Sequence, residues 1–181
     1  MIKMVPEKEK NEKSSLGIRD MILLTLFSMI AVMAKQFLRI PLRISGHGYF
    51  PFFLFLVFGS SYTGKKGAAA YMGVASGIFG VLAGVEDGPF TIFRFLLPGL
   101  VVEFMKKLPT IFSPVLNRAV EGLAAGMIML IWKSAFNLLT GKPLEAVMVK
   151  FFPGLLTYSA MGILSGIIAH LLSGALKRYR R

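Results

Sequence analysis

Cysteine is absent from this sequence. That excludes disulfides, thiolate metal sites and cysteine nucleophiles. Charge is scarce too, since Asp, Glu, Lys and Arg make up 17% of the 181 residues. Acidic residues number 9 against 21 basic ones. The histidines are two, His47 just before the second expected membrane span and His170 near the end of the sixth, on opposite sides of the membrane, so no metal site is expected. No Ser/His/Asp set and no pair of carboxylates stands out. Without polar catalytic groups meeting at one depth, the chain is not read as an enzyme, and no cofactor is expected.

Apolar residues are plentiful. Hydrophobic residues make up 55% of the chain, and the mean hydropathy is +0.66. A soluble domain needs more polar surface than this sequence supplies. A helix of about 20 residues crosses a hydrocarbon core of about 30 Å. The apolar runs are continuous rather than alternating, which favours helices over barrel strands. The expected class is an all-α integral membrane protein, a compact bundle of about six transmembrane helices. The expected spans are 18–37, 49–62, 68–84, 90–105, 115–139 and 146–172. Polar or Gly/Pro-rich breaks separate them, including Gly64-Lys65-Lys66-Gly67 and Glu86-Asp87-Gly88-Pro89. Residues 1–17 form a polar tail, 18–176 the transmembrane domain and 177–181 a basic C-terminus.

The formal net charge of +12 is read as positive flanks of membrane helices, not as a nucleic-acid surface. With both termini cytoplasmic, the tail, Lys65/Lys66, Lys106/Lys107 and the C-terminal cluster all lie inside. With Arg19 at the start of the first span, that accounts for 13 of the 21 Lys and Arg. Lys35, Arg39, Arg43, Arg94, Lys133, Lys142 and Lys150 then map to the outer half, which runs against the positive-inside rule.

Three spans enter from that outer side, each with aromatics and a proline near its start. They read Tyr49-Phe50-Pro51, Arg94-Phe95-Leu96-Leu97-Pro98 and Lys150-Phe151-Phe152-Pro153. Proline opens the helix backbone, and a charge within a span tends to face a cavity or a partner. The expected site is an outward pocket with Arg39, His47, Tyr49, Arg94 and Lys150 as candidate ligand contacts, and an anionic ligand. The competing reading is an aromatic belt with snorkelling cations. Small residues four apart (Ala69, Gly73 and Gly77; Gly122 and Gly126; Gly162 and Gly166) suit close helix packing. Arg118 and Glu121, three apart, suit an ion pair. Gly59 to Lys66 imitates a phosphate loop but lacks the Ser or Thr that would bind magnesium. It is read as a helix end and turn.

Two stretches carry a family resemblance. One is Gly59 to Gly84, an apolar helix, a Gly-Lys-Lys-Gly turn and a small-residue helix ending in Gly. The other is Arg94-Phe95-Leu96-Leu97-Pro98-Gly99-Leu100-Val101-Val102-Glu103. With the six-span pattern over about residues 18–175, the chain resembles the S components of energy-coupling factor (ECF) transporters. These are small bacterial and archaeal six-helix proteins that capture vitamins and related micronutrients. The resemblance implies capture of such a solute at the outer face of a prokaryotic cell membrane. It implies partners as well, a transmembrane T subunit and cytoplasmic ATPase subunits that supply the energy. Members often carry Ala-x-x-x-Ala on the first helix for docking the T subunit. This chain departs from that pattern with Ser28, Ala31 and Ala34, which are the docking candidates. The resemblance also implies a lid at about Ile40–Gly48. The alternatives are a self-sufficient small secondary transporter and an intramembrane enzyme or accessory protein.

Overall fold

The computed structural model describes residues 16–37, 46–85, 88–108 and 113–179. Among them are six α-helices: α1 Ile18–Phe37, α2 Phe50–Thr63, α3 Ala68–Leu82, α4 Thr91–Met105, α5 Pro114–Leu139 and α6 Leu144–Tyr179. Short 3-10 turns, His47–Tyr49 and Gly88–Phe90, lead into α2 and α4. The spans Gly88–Met105, Pro114–Leu139 and Leu144–Leu176 are long and apolar enough to cross a membrane. The helices α2 and α3 are apolar but shorter, at 14 and 15 residues. The last helix runs to Tyr179, past the expected Leu172, because Leu171 to Leu176 continue it without a proline.

The small-residue lines are used inside the bundle. The helices α3 and α4 pack together, as do α5 and α6. A Cβ on Gly73 would stand 2.8 Å from the Phe95 carbonyl oxygen, and one on Gly99 would stand 2.6 Å from that of Ala69. Gly122 and Gly162 face each other's backbone across α5 and α6, and Gly166 faces the Arg118 carbonyl. Within lipid there is little hydrophobic force between helices, so this backbone approach supplies the dispersion contacts that hold them. Phe52, Phe53, Leu56, Met72, Phe95, Met129 and Tyr158 fill the core between the pairs.

One end of the bundle is tied by polar contacts. Asp20 at the start of α1 pairs with Lys65 at 2.8 Å. The Glu103 carboxylate accepts from the backbone N–H groups of Gly67 (2.7 Å) and Ala69 (3.3 Å). It therefore serves the exposed donors at the start of α3 as a cap from a neighbouring helix. Lys106 donates to the Ser60 carbonyl at 3.0 Å. Arg118 reaches both Glu121 oxygens at 2.7 Å, so the expected pair forms. Gly64 takes φ +63° and closes α2, and Gly59–Thr63 is its last turn, not a loop around a phosphate.

The close contact of α5 with α6 gives a direct test. Gly122→Leu should destabilise the protein by about 1–3 kcal/mol or more through overpacking. Gly174→Leu, where a Cβ meets nothing within 4 Å, should stay within about 0.5 kcal/mol. Thermal unfolding in detergent, followed by the single tryptophan, measures both. Equal losses would show that the helix contact accommodates a side chain.

Candidate functional site

The other end of the bundle is shaped by the shortness of α2. Its 14 residues rise about 21 Å, less than a hydrocarbon core. Its first carbonyl, on Phe50, accepts from the Ser165 hydroxyl at 3.3 Å. Ser165 lies roughly 30 Å along α6 from Leu144 by helix rise. The helix α2 therefore begins well down the length of α6.

Tyr49 and Tyr158 meet beside the start of α2. Their rings stack with centroids 5.9 Å apart and planes at 29°. Both are buried, and Phe53 and Phe95 pack beside them. Three cations from three helices point at this pair. Lys35 of α1 has its ammonium 4.2 Å from the Tyr49 ring centroid and donates to the Tyr49 hydroxyl at 3.0 Å. Arg94 of α4 has its guanidinium carbon 5.3 Å from the same centroid. Lys133 of α5 has its ammonium 5.8 Å from the Tyr158 centroid. Cation–π attraction favours each contact. Arg94 is only 2% exposed, so the guanidinium is inside the protein rather than snorkelling to an interface.

Helical periodicity explains why these three turn inward. On α4 the buried residues are Thr91, Arg94, Phe95, Pro98, Gly99 and Val102, a single stripe. Lys35 continues the buried line Leu24, Ser28 and Ala31 on α1, and Lys133 follows Gly126, Met129 and Leu130 on α5. Pro98 has no N–H for the Arg94 carbonyl four residues earlier, so α4 is opened at the arginine. The Thr91 hydroxyl donates to the Val85 carbonyl at 3.3 Å and fixes the start of α4.

Of the candidates expected from sequence, Tyr49 and Arg94 come together. Lys150 is exposed. Lys150 is in phase with the buried residues Val147, Gly154 and Tyr158, but Val147 is the one buried residue of 144–150, so this turn of α6 is not packed. His47 lies in the 3-10 turn before α2. Arg39, and most of the lid expected over Ile40–Gly48, lie outside the described residues. The structure adds Lys35, Lys133 and Tyr158 to this group, and each lies in phase with the buried residues of its own helix. The docking candidates lie on α1. Ser28 and Ala31 are fully buried, and the Ser28 hydroxyl is 3.4 Å from the Met72 carbonyl of α3. Their small size serves the contact of α1 with α3, and Ala34 is half-buried.

The ring of Tyr49 holds two cations, which separates its substitutions. Tyr49→Phe keeps the ring and loses one hydrogen bond, about 0.5–1.5 kcal/mol. Tyr49→Leu loses the ring contacts as well, each about 0.5–2 kcal/mol. Thermal midpoints should therefore fall further for Tyr49→Leu. Equal midpoints would show that the cations gain nothing from the ring.

No family model matches the chain, and no curated protein matches it in sequence. Its structure is similar to a solved one described as an S-component of an ECF transporter. The TM-score is 0.63 at 15% sequence identity, covering 90% of this chain and 86% of that one. At this identity the likeness is one of fold. The chain has the fold of an ECF transporter S component.

Proposed function

We propose that this protein captures a small micronutrient, a vitamin or a vitamin precursor, at the outer face of a prokaryotic cell membrane. Separate subunits, a transmembrane T subunit and cytoplasmic ATPases, then drive its uptake. The observation that carries the reading is the convergence of Arg94, Lys35 and Lys133 on two stacked tyrosines, within an S-component fold. The convergence of cations supports an anionic ligand. The basic clusters beside Lys65 and Lys106 support a cytoplasmic position for the opposite end and for both termini. A partner subunit would meet the exposed apolar face of α1, which carries Ile22, Leu26, Met29, Ile30 and Met33.

Reporter fusions at Arg181 and in the Glu86–Pro89 loop should report opposite sides. Equal accessibility would overturn the orientation. Reconstituted alone in liposomes with ATP, the chain should bind the solute that co-purifies with it, identified by mass spectrometry, but not concentrate it. Uphill uptake without other subunits would defeat the S-component reading. Arg94→Ala should weaken binding of the co-purified solute by roughly 1.5–3 kcal/mol, about ten- to a hundredfold. Unchanged affinity would remove Arg94 from the site.

A further inference from the structure

Beside the first turns of α1, a groove of about 260 Å³ opens on the surface of the bundle. It is lined by Ile18, Met21, Ile22, Thr25 and Leu26 of α1 and by Tyr71 of α3. Two polar side chains stand in its wall, and each is used within the protein. The Thr25 hydroxyl donates to the Met21 carbonyl at 2.7 Å. A threonine hydroxyl has one hydrogen, so the Tyr71 hydroxyl, 2.7 Å from the Thr25 oxygen, donates to it. Neither hydroxyl has a hydrogen left for water or a polar solute. The rest of the wall is apolar, with Ile18, Ile22 and Leu26 more than half exposed.

The groove is charged at one end and apolar at the other. From Ile18 to Leu26, near the middle of α1, it runs about 12 Å by helix rise, most of one leaflet of a hydrocarbon core about 30 Å thick. Its Ile18 end meets the Gly64-Lys65-Lys66-Gly67 turn, where Lys65 pairs with Asp20 at 2.8 Å and a Cβ on Gly67 would stand 3.8 Å from Leu16. Asp20 answers Lys65, and Glu103 takes the N–H groups of Gly67 and Ala69. Arg19 and Lys66 are exposed at this end. Arg19 also shares the groove's face of α1, three residues before Ile22 and seven before Leu26.

We propose that this groove holds one acyl chain of an anionic phospholipid, with its phosphate at the rim beside Arg19 and Lys66. A lipid placed so keeps its charge at headgroup level and its tail along the apolar wall. A free phosphate would use the cations alone and leave the groove empty. Basic sites between membrane helices on the cytoplasmic side suit anionic headgroups. The inference goes beyond the transport reading and does not rest on it.

Native mass spectrometry of the full chain, delipidated in detergent, tests the site with three probes. They are phosphatidylglycerol, phosphatidylcholine with the same acyl chains, and glycerol 3-phosphate. Phosphatidylglycerol should bind at least tenfold more tightly than either of the others. Arg19→Gln combined with Lys66→Gln should remove most of its preference over phosphatidylcholine. Lys142→Gln combined with Arg178→Gln removes the same charge from other exposed positions and should keep that preference. Ile22→Trp, which fills the groove, should weaken phosphatidylglycerol binding at least tenfold. Leu156→Trp, at an exposed position on α6, should not. Thermal midpoints confirm that each variant is folded. Equal binding of the two lipids, or a preference that survives the loss of Arg19 and Lys66, overturns the charged rim. Lipid binding unchanged in Ile22→Trp overturns the groove. Glycerol 3-phosphate binding as tightly as phosphatidylglycerol assigns the cations to a soluble phosphate and overturns the lipid. A dimer that Ile22→Trp abolishes would give the groove to a second copy of the chain and overturn it as well.

Discussion

The bundle depends on helices approaching until backbone meets backbone. In a bilayer, apolar side chains gain little by leaving lipid for protein, so close packing and internal hydrogen bonds must hold the helices. The glycines of α3 and α4, and those of α5 and α6, make two such contacts. Each yields a helix pair with its loop at one end. The phenylalanines of α2 then fill the space between the pairs, with Phe52 against Phe95 at 4.7 Å and Phe53 against Tyr158 at 6.4 Å.

The placing of the tyrosines follows from that arrangement. The helix α2 is shorter than its neighbours, and it is held at both ends. Lys106 donates to the Ser60 carbonyl near its C-terminus, and Ser165 donates to the Phe50 carbonyl at its start. Its start brings Tyr49 beside Lys35, near the end of α1, and Arg94, near the start of α4. Irregular backbone at membrane depth is tolerated where protein or a wet cavity satisfies it. The turn at Gly46–Tyr49 meets that condition, with the Tyr49 N–H donating to the Gly46 carbonyl at 3.1 Å. The rings of Tyr49 and Tyr158 receive Lys35, Arg94 and Lys133 from three helices.

Much of the fold was legible in the sequence because the bilayer imposes simple rules. Long apolar runs, Gly/Pro breaks and small residues four apart are read directly. The first helix falls on its expected bounds, and the small-residue lines pack as expected within the bundle. The Glu103 cap on α3 was not legible. It joins residues 36 and 34 apart in sequence, and a carboxylate near a helix end gives no sign of which neighbouring helix it serves.

The site was legible in part, for a reason of the same kind. Proximity to a proline and to aromatics drew attention to Arg94 and Lys150 alike. Helical phase does not separate them, since Lys150 stands to Val147, Gly154 and Tyr158 as Arg94 stands to Thr91, Pro98 and Val102. The packing of the turn does. Thr91 and Phe95 beside Arg94 are buried, whereas Val147 is the one buried residue of 144–150. The first turns of α6 are mostly unpacked, and Lys150 is exposed with them. Lys35 and Lys133 have no proline after them but are in phase with their buried lines, and both reach the tyrosines. Depth in the membrane and local composition set where a charge can be tolerated. Phase around the helix and the packing of that turn together decide whether it faces the protein interior or the outside.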